Sequence, residues 1–308
     1  STDGGAGSPM TSFSQNERSS PSTRSRGDVP EPTAEPVGKL AGSSWQGDAV
    51  DESKRSRSWI RIILIGFATG YLSGIFAVGG GVIMVPALVA FAGFTQRQAA
   101  GTSLAAIIFP AAAGVVTYVT HGYINWLAAG LLVAGSVVGA QIGTYLLSRL
   151  STRIIRWAFV GFLVASAISL IFVIPPRGAV IDITVATGIG LVAVGLAAGI
   201  LAGLVGVGGG VVLVPSMIVG FGASDLIAKG TSLAVIIPTS MSGTLGNLRR
   251  GNVDVRAALV LGLAACATSP LGVLSAVAIP AQTGNYLFAA FQLIMAARMI
   301  VQLMRKGE

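Results

Sequence analysis

The chain has 308 residues, of which 53% are hydrophobic and 10% charged. A soluble domain carries about 25% charged residues. Residues 58–308 hold thirteen Lys/Arg and only four acids, Asp182, Asp225, Asp254 and Glu308. That is too little charge to give 251 residues a soluble surface, so lipid is the expected solvent.

The net charge of +8 does not point to nucleic acid, because the body's basic residues fall between apolar runs and form no patch interleaved with aromatics. Lys and Arg in such positions read as cytoplasmic loops. The one cysteine, Cys266, sits in an apolar run and reads as a small buried hydrophobe. The lone histidine, His121, cannot build a zinc site by itself. No catalytic set of Ser/His/Asp, paired carboxylates or metal ligands can be assembled, so neither an enzyme nor a cofactor is expected.

Residues 1–57 are rich in Ser, Pro, Gly and mixed charge, the composition of a disordered polar tail. They lack the pattern of a signal peptide. From Trp59 onward apolar segments alternate with short breaks. Predicted helices cover roughly 59–78, 82–94, 99–119, 125–147 and 153–174, then 184–206, 211–223, 228–248, 254–278 and 282–304. Most reach the ~20 residues that cross a hydrocarbon core of about 30 Å. The second segment of each set of five is too short, reaching only about 20 Å.

An internal repeat organises these segments. Shifted by 129 residues, the sequence aligns with itself without a gap. Residues 70–122 match 199–251 at 21 of 53 positions. Gly, Pro, Thr and Ser keep register, which hydrophobicity alone does not enforce, so this is a duplication. The expected domains are the tail 1–57, a first transmembrane repeat 58–178 and a second 179–308.

Charge then sets topology. With the N-terminus cytoplasmic and ten crossings, Arg97, Arg149, Arg153, Arg156, Arg249, Arg250, Arg256, Arg298, Arg305 and Lys306 all fall inside, and only Arg177 and Lys229 fall outside. Five crossings per repeat is odd. The expected fold is therefore an all-α polytopic membrane protein of two inverted repeats with both termini cytoplasmic. The alternative is eight crossings with re-entrant short helices, which moves Arg149, Arg153 and Arg156 outside.

Each short segment follows three glycines, Gly79-Gly80-Gly81 and Gly208-Gly209-Gly210. Such glycines break a helix, at about 1 kcal/mol each relative to alanine. Non-helical backbone within a bilayer survives only against protein or water. A helix N-terminus at that depth offers N–H groups and partial positive charge to an anion. Tight helix packing is the competing reading. Paired breaks in inverted halves mark a transporter's site.

The next segment of each half carries Gly101-Thr102-Ser103-Leu104 or Gly230-Thr231-Ser232-Leu233. Thr102, Ser103, Thr231 and Ser232 either cap their helices or donate to a bound oxyanion. Gln141 reads as a bridge between helices and Asn247 as interfacial. No Asp or Glu is expected deep in a segment, which argues against cation carriage by carboxylates.

The twin Gly-Gly-Gly-x-x-x-Val-Pro stretches at 79–86 and 208–215, each followed by Gly-Thr-Ser-Leu, resemble the TauE/SafE family of sulfite-exporter-like permeases. The resemblance covers about 60–304. It implies transport of sulfur-containing anions such as sulfite or sulfonates, generally outward across the prokaryotic plasma membrane. The expected function is a secondary transporter of small anions working by alternating access. An anion channel of the same architecture and a non-transporting scaffold or sensor are the alternatives. The expected partners are a small anion and the lipid bilayer, with room for a homo-oligomer and none for nucleic acid. The expected anion contacts are Gly79, Gly80, Gly81, Thr102, Ser103, Gly208, Gly209, Gly210, Thr231 and Ser232.

Overall fold

A computed structural model describes residues 44–149, 152–172, 181 and 183–305. The chain divides into two compact units, Ser1–Asp48 and Ala49–Glu308, and the second is the helical body. Ten α-helices follow in order: α1 (Ser44–Phe76), α2 (Gly81–Phe91), α3 (Gln96–Thr120), α4 (Trp126–Arg149) and α5 (Thr152–Phe172), then α6 (Val185–Val205), α7 (Gly210–Pro215), α8 (Asp225–Leu248), α9 (Val255–Ala278) and α10 (Ala281–Arg305). A π turn, Ser216–Gly220, continues α7. There is no strand among the described residues.

The expectation of an all-α polytopic membrane protein holds. Six helices, α1, α3, α4, α6, α9 and α10, are long and apolar enough to cross a membrane. Large apolar side chains such as Phe172, Val185, Leu263 and Ile294 lie on the outside, as a lipid solvent requires. Helix α1 starts at Ser44, so part of the expected tail is helical. Residues such as Ala49, Glu52 and Lys54 are good helix formers, and extending a helix costs little once it is nucleated. Residues 1–43, which hold the rest of that tail, lie outside the described residues.

The duplication extends to the element boundaries. Shifted by 129, the end of α1 (Phe76) falls on the end of α6 (Val205) and the start of α2 (Gly81) on the start of α7 (Gly210). The starts of α3, α4 and α5 fall likewise on those of α8, α9 and α10.

Glycine stripes knit the two repeats into each other. Gly66, Gly70 and Gly74 of α1 lie against the backbone of α9 from Leu261 to Val273. Their counterparts Gly195, Gly199 and Gly203 of α6 lie against the backbone of α4 from Leu132 to Thr144. Both pairs are parallel, and each joins a helix of one repeat to a helix of the other. With no water to expel between lipid-facing helices, such close approach is what holds them together.

Helix direction resolves the topology question. Gly114 of α3 meets Leu233 of α8, and Gly243 of α8 meets Leu104 of α3, so these counterparts run antiparallel. That is compatible with inverted halves. Arg61 near the start of the apolar part of α1 donates to the Phe91 carbonyl at the end of α2 (3.1 Å). Helix α2 therefore returns along α1 to the face from which α1 came. Gly79, at the break, lies against Ile107 and Ile236, both near the middle of their helices. The short segments are thus the returning arms of hairpins whose tips lie at mid-depth. They are neither full crossings nor loops entering from the opposite face. The face that carries Arg61 also carries the α3 start, the α4 end and the α8–α9 turn, so Arg97, Arg149, Arg249 and Arg250 stay together.

Gly139→Leu forces a side chain into the Leu196 carbonyl of α6. We expect a loss of at least about 1–3 kcal/mol, seen as a lower melting temperature in detergent. Gly161→Leu, where a Cβ meets nothing, is expected to melt like the wild type.

Candidate functional site: the crossed hairpin tips

Two hairpin tips meet inside the bundle. A Cβ on Gly81 would strike the Gly206 carbonyl and Val207, and one on Gly210 would strike the Ala77 carbonyl and Val78. Each tip thus packs backbone to backbone against the other, which only glycine permits at 81 and 210. Gly80 and Gly209 start their helices in the left-handed conformation, with φ of 75° and 85°. Ala77 shares this hand at φ 53°, and is alone among described non-glycine residues in doing so. Such strain persists only where surrounding contacts hold it.

Ser103 and Ser232 are those contacts. Ser103 donates to the Gly206 carbonyl (2.8 Å), and its counterpart Ser232 donates to the Ala77 carbonyl (3.2 Å). The threonines hold the repeats together next door. Thr102 accepts from the Asp254 N–H and Thr231 from the Asn125 N–H, both at 3.0 Å. Asp254 and Asn125 in turn accept from the N–H groups of Ala257 and Ala128, capping α9 and α4.

Of the two roles expected for Thr102, Ser103, Thr231 and Ser232, helix capping is corrected by this geometry. Helix α3 starts earlier, with Thr95 as N-cap in a capping box with Gln98, and α8 starts after Ser224. The four hydroxyls lie in the second turn, fully buried. Each is engaged across the repeat boundary.

The glycines are differently placed. The N–H groups of Gly81 and Val82, and of Gly210 and Val211, open their helices and so lack intrahelical acceptors. The next N–H groups, from Ile83 and Val212, already turn back to Gly80 and Gly209 (3.1 and 2.9 Å). Gly79 and Gly208 face the same two side chains, Ile107 and Ile236. A Cβ on Gly208 would also lie 3.5 Å from Ser240 Oγ. Ser240 is fully buried, and its hydroxyl has no partner among the described residues. A helical serine ordinarily bonds the carbonyl one turn back, as neighbouring Thr239 does to Val235 (2.7 Å). No motif marks Ser240, whose counterpart is Ala111.

A cavity of about 40 Å³ runs to one of these tips, room for a few water-sized groups. Gly81 and Val82 line it together with Val205 and Val207 of the other tip, and Arg298 lies at its exposed end. Arg298 supplies positive charge on the basic face of the bundle.

Gln141 donates to the carbonyl and hydroxyl of Ser242, bridging α4 and α8. Asn247, expected at the interface, is fully buried and donates to Gly243. His121 is exposed at the end of α3, and Cys266 is half-buried. No Asp or Glu is expected deep in a segment; Asp225 opens α8 at its first residue, three residues before the expected start, and is nonetheless buried. Asp225 is buried and paired with buried Lys229 at 2.7 Å.

The model of the sulfite exporter TauE/SafE family matches residues 25–170 and 191–308. The chain belongs to this family. Among similar TauE/SafE relatives is a probable membrane transporter protein, YunE, of Bacillus subtilis (strain 168). It is 25% identical over 228 residues, covering 66% of this chain and 83% of the relative. The same organism's probable membrane transporter protein YdhB is 29% identical, covering 63% and 80%. The archaeal relative MJ0441 of Methanocaldococcus jannaschii, also named a probable membrane transporter protein, is 25% identical, covering 69% and 84%. No solved structure matches the chain. The family match and the relatives' names make this chain a membrane transporter.

Ser103→Ala leaves the buried Gly206 carbonyl without its donor, and we expect a loss of about 1–3 kcal/mol. Ser240→Ala breaks no bond and is expected to melt within about 0.5 kcal/mol of the wild type. Thermal melts of the two variants side by side check this.

Proposed function

We propose that the protein is a secondary transporter of small anions, sulfur-containing ones such as sulfite or organosulfonates in particular, working by alternating access. The carrying observation is the pair of hairpin tips that cross at mid-depth and open α2 and α7 there, with a cavity leading to one of them. Unpaired N–H groups at a helix start suit an oxyanion, and Arg298 would draw it in. Gly79, Gly80, Gly81, Gly208, Gly209 and Gly210 supply the backbone at the site. Thr102, Ser103, Thr231 and Ser232 support it from behind by holding the tips together. The sulfur preference rests on the family. The protein sits in a prokaryotic plasma membrane with both termini on the cytoplasmic side, because the face carrying Arg61, Arg149 and Arg250 is the basic one.

Proteoliposomes loaded with sulfite or an organosulfonate test this by counterflow of labelled anion. The expected result is saturable flux that is stimulated by anion on the opposite side. Arg298→Gln is expected to lower kcat/KM by about tenfold or less, with the loss shrinking at high salt, as steering by an exposed charge requires. Flux that never saturates would identify a channel, and absence of flux and binding for every anion tried would overturn the reading.

A further inference from the structure

The repeat register gives the lining residues of the cavity counterparts at a second seam. Shifting the lining residues Gly81, Val82, Val85 and Phe159 by 129 gives Gly210, Val211, Val214 and Phe288. Val205 and Gln96 map to Phe76 and Asp225. Gly210, Val211 and Val214 lie on α7, the arm that returns toward the opposite face, with Phe76, Asp225 and Phe288 brought against it from α1, α8 and α10. All six counterparts are buried; in the first set Gln96 is half-buried and Arg298, whose counterpart is Ser169, is exposed.

Three differences between the repeats meet at this seam. Valine at 205 is replaced by Phe76, whose ring stacks on Phe288 (5.4 Å between centroids) and on Phe291 (5.0 Å). Glutamine at 96 is replaced by Asp225, which pairs with Lys229, where the first repeat has Ala100. The pair lies against α10 at Gly284, where a Cβ would sit 3.3 Å from Asp225 and 3.4 Å from Lys229. Phe288 follows one helical turn deeper. An outer ion pair and an inner aromatic stack thus close one seam between α8, α10 and the end of α1.

We infer that this seam is a closed second vestibule for the same anion, sealed by Asp225–Lys229 and by Phe76 with Phe288 and Phe291. The structure is then the state open toward the basic face. This rests on the carrier reading above, since a carrier needs one vestibule closed while the other is open. Parting Lys229 from Asp225 would leave a cation at the second mouth, the role Arg298 has at the first.

Cysteine accessibility tests the seal without any transported substrate. In full-length protein with Cys266→Ser, reconstituted in liposomes, thiols are placed at the paired positions by Val85→Cys or Val214→Cys. A membrane-impermeant methanethiosulfonate reagent is then added to one side at a time. Val85→Cys is expected to react from the Arg298 face and so to report orientation. Val214→Cys is expected to be silent from both faces. Adding Phe76→Ala to Val214→Cys is expected to speed labelling about tenfold from the opposite face alone, by raising a minor open population. The joint change Asp225→Asn with Lys229→Gln is expected to do the same without leaving an unpaired charge, and covers the case in which Phe76→Ala does not fold. Labelling of Val214→Cys from the Arg298 face, or silence in every variant that elutes and melts as a folded protein, would overturn the inference. Counterflow in the Cys266→Ser background reads out the carrier reading separately, because it can fail while the labelling pattern holds.

Discussion

Contact between two backbones, at Gly81 against Gly206 and Gly210 against Ala77, is the constraint on which the rest of the structure depends. It needs residues with no Cβ, and it needs both tips to stop at the same depth. The first condition is met by glycine. The second is met by the serines, each donating from one repeat to the tip carbonyl of the other. Without that contact α2 and α7 would open into apolar surroundings with bare N–H groups, a costly exposure in a bilayer.

The repeats are not two domains side by side. Helix α1 packs on α9 and α6 on α4, so each repeat's entry helix belongs to the other repeat's wall. The threonines extend the exchange, because Thr102 and Thr231 accept from the residues that cap α9 and α4. A motif that looks like a candidate ligand shell in one dimension is thus largely a clamp in three. A hydroxyl left without a partner beside the tips is that of Ser240, where the first repeat has Ala111.

Near-symmetric halves with unequal side chains give a way to hold one side open and the other shut. The aromatic stack and the buried ion pair both arise where the repeats diverge, at Phe76 against Val205 and at Asp225 against Gln96. A buried ion pair adds little net stability when desolvation is counted. An ion pair of this kind suits the proposed seal, which has to part and re-form.

The sequence by itself determined that the body is helical and membrane-bound, that it is duplicated at a spacing of 129, and where most helices begin and end to within a few residues, the start of α1 and the end of α7 excepted. Those are properties of composition, register and local breaks, which need no partner. The glycine breaks were legible for the same reason. Only the tertiary structure decided that the short helices return to the face they came from, because that depends on which backbone Arg61 meets at Phe91. It also decided that Asp225 is buried. A charge at the end of an apolar run reads as a loop residue until Lys229, one turn away on the same helix, is seen closing on it against Gly284. Burial and pairing are settled by what lies across the helix, and the chain carries no local trace of that.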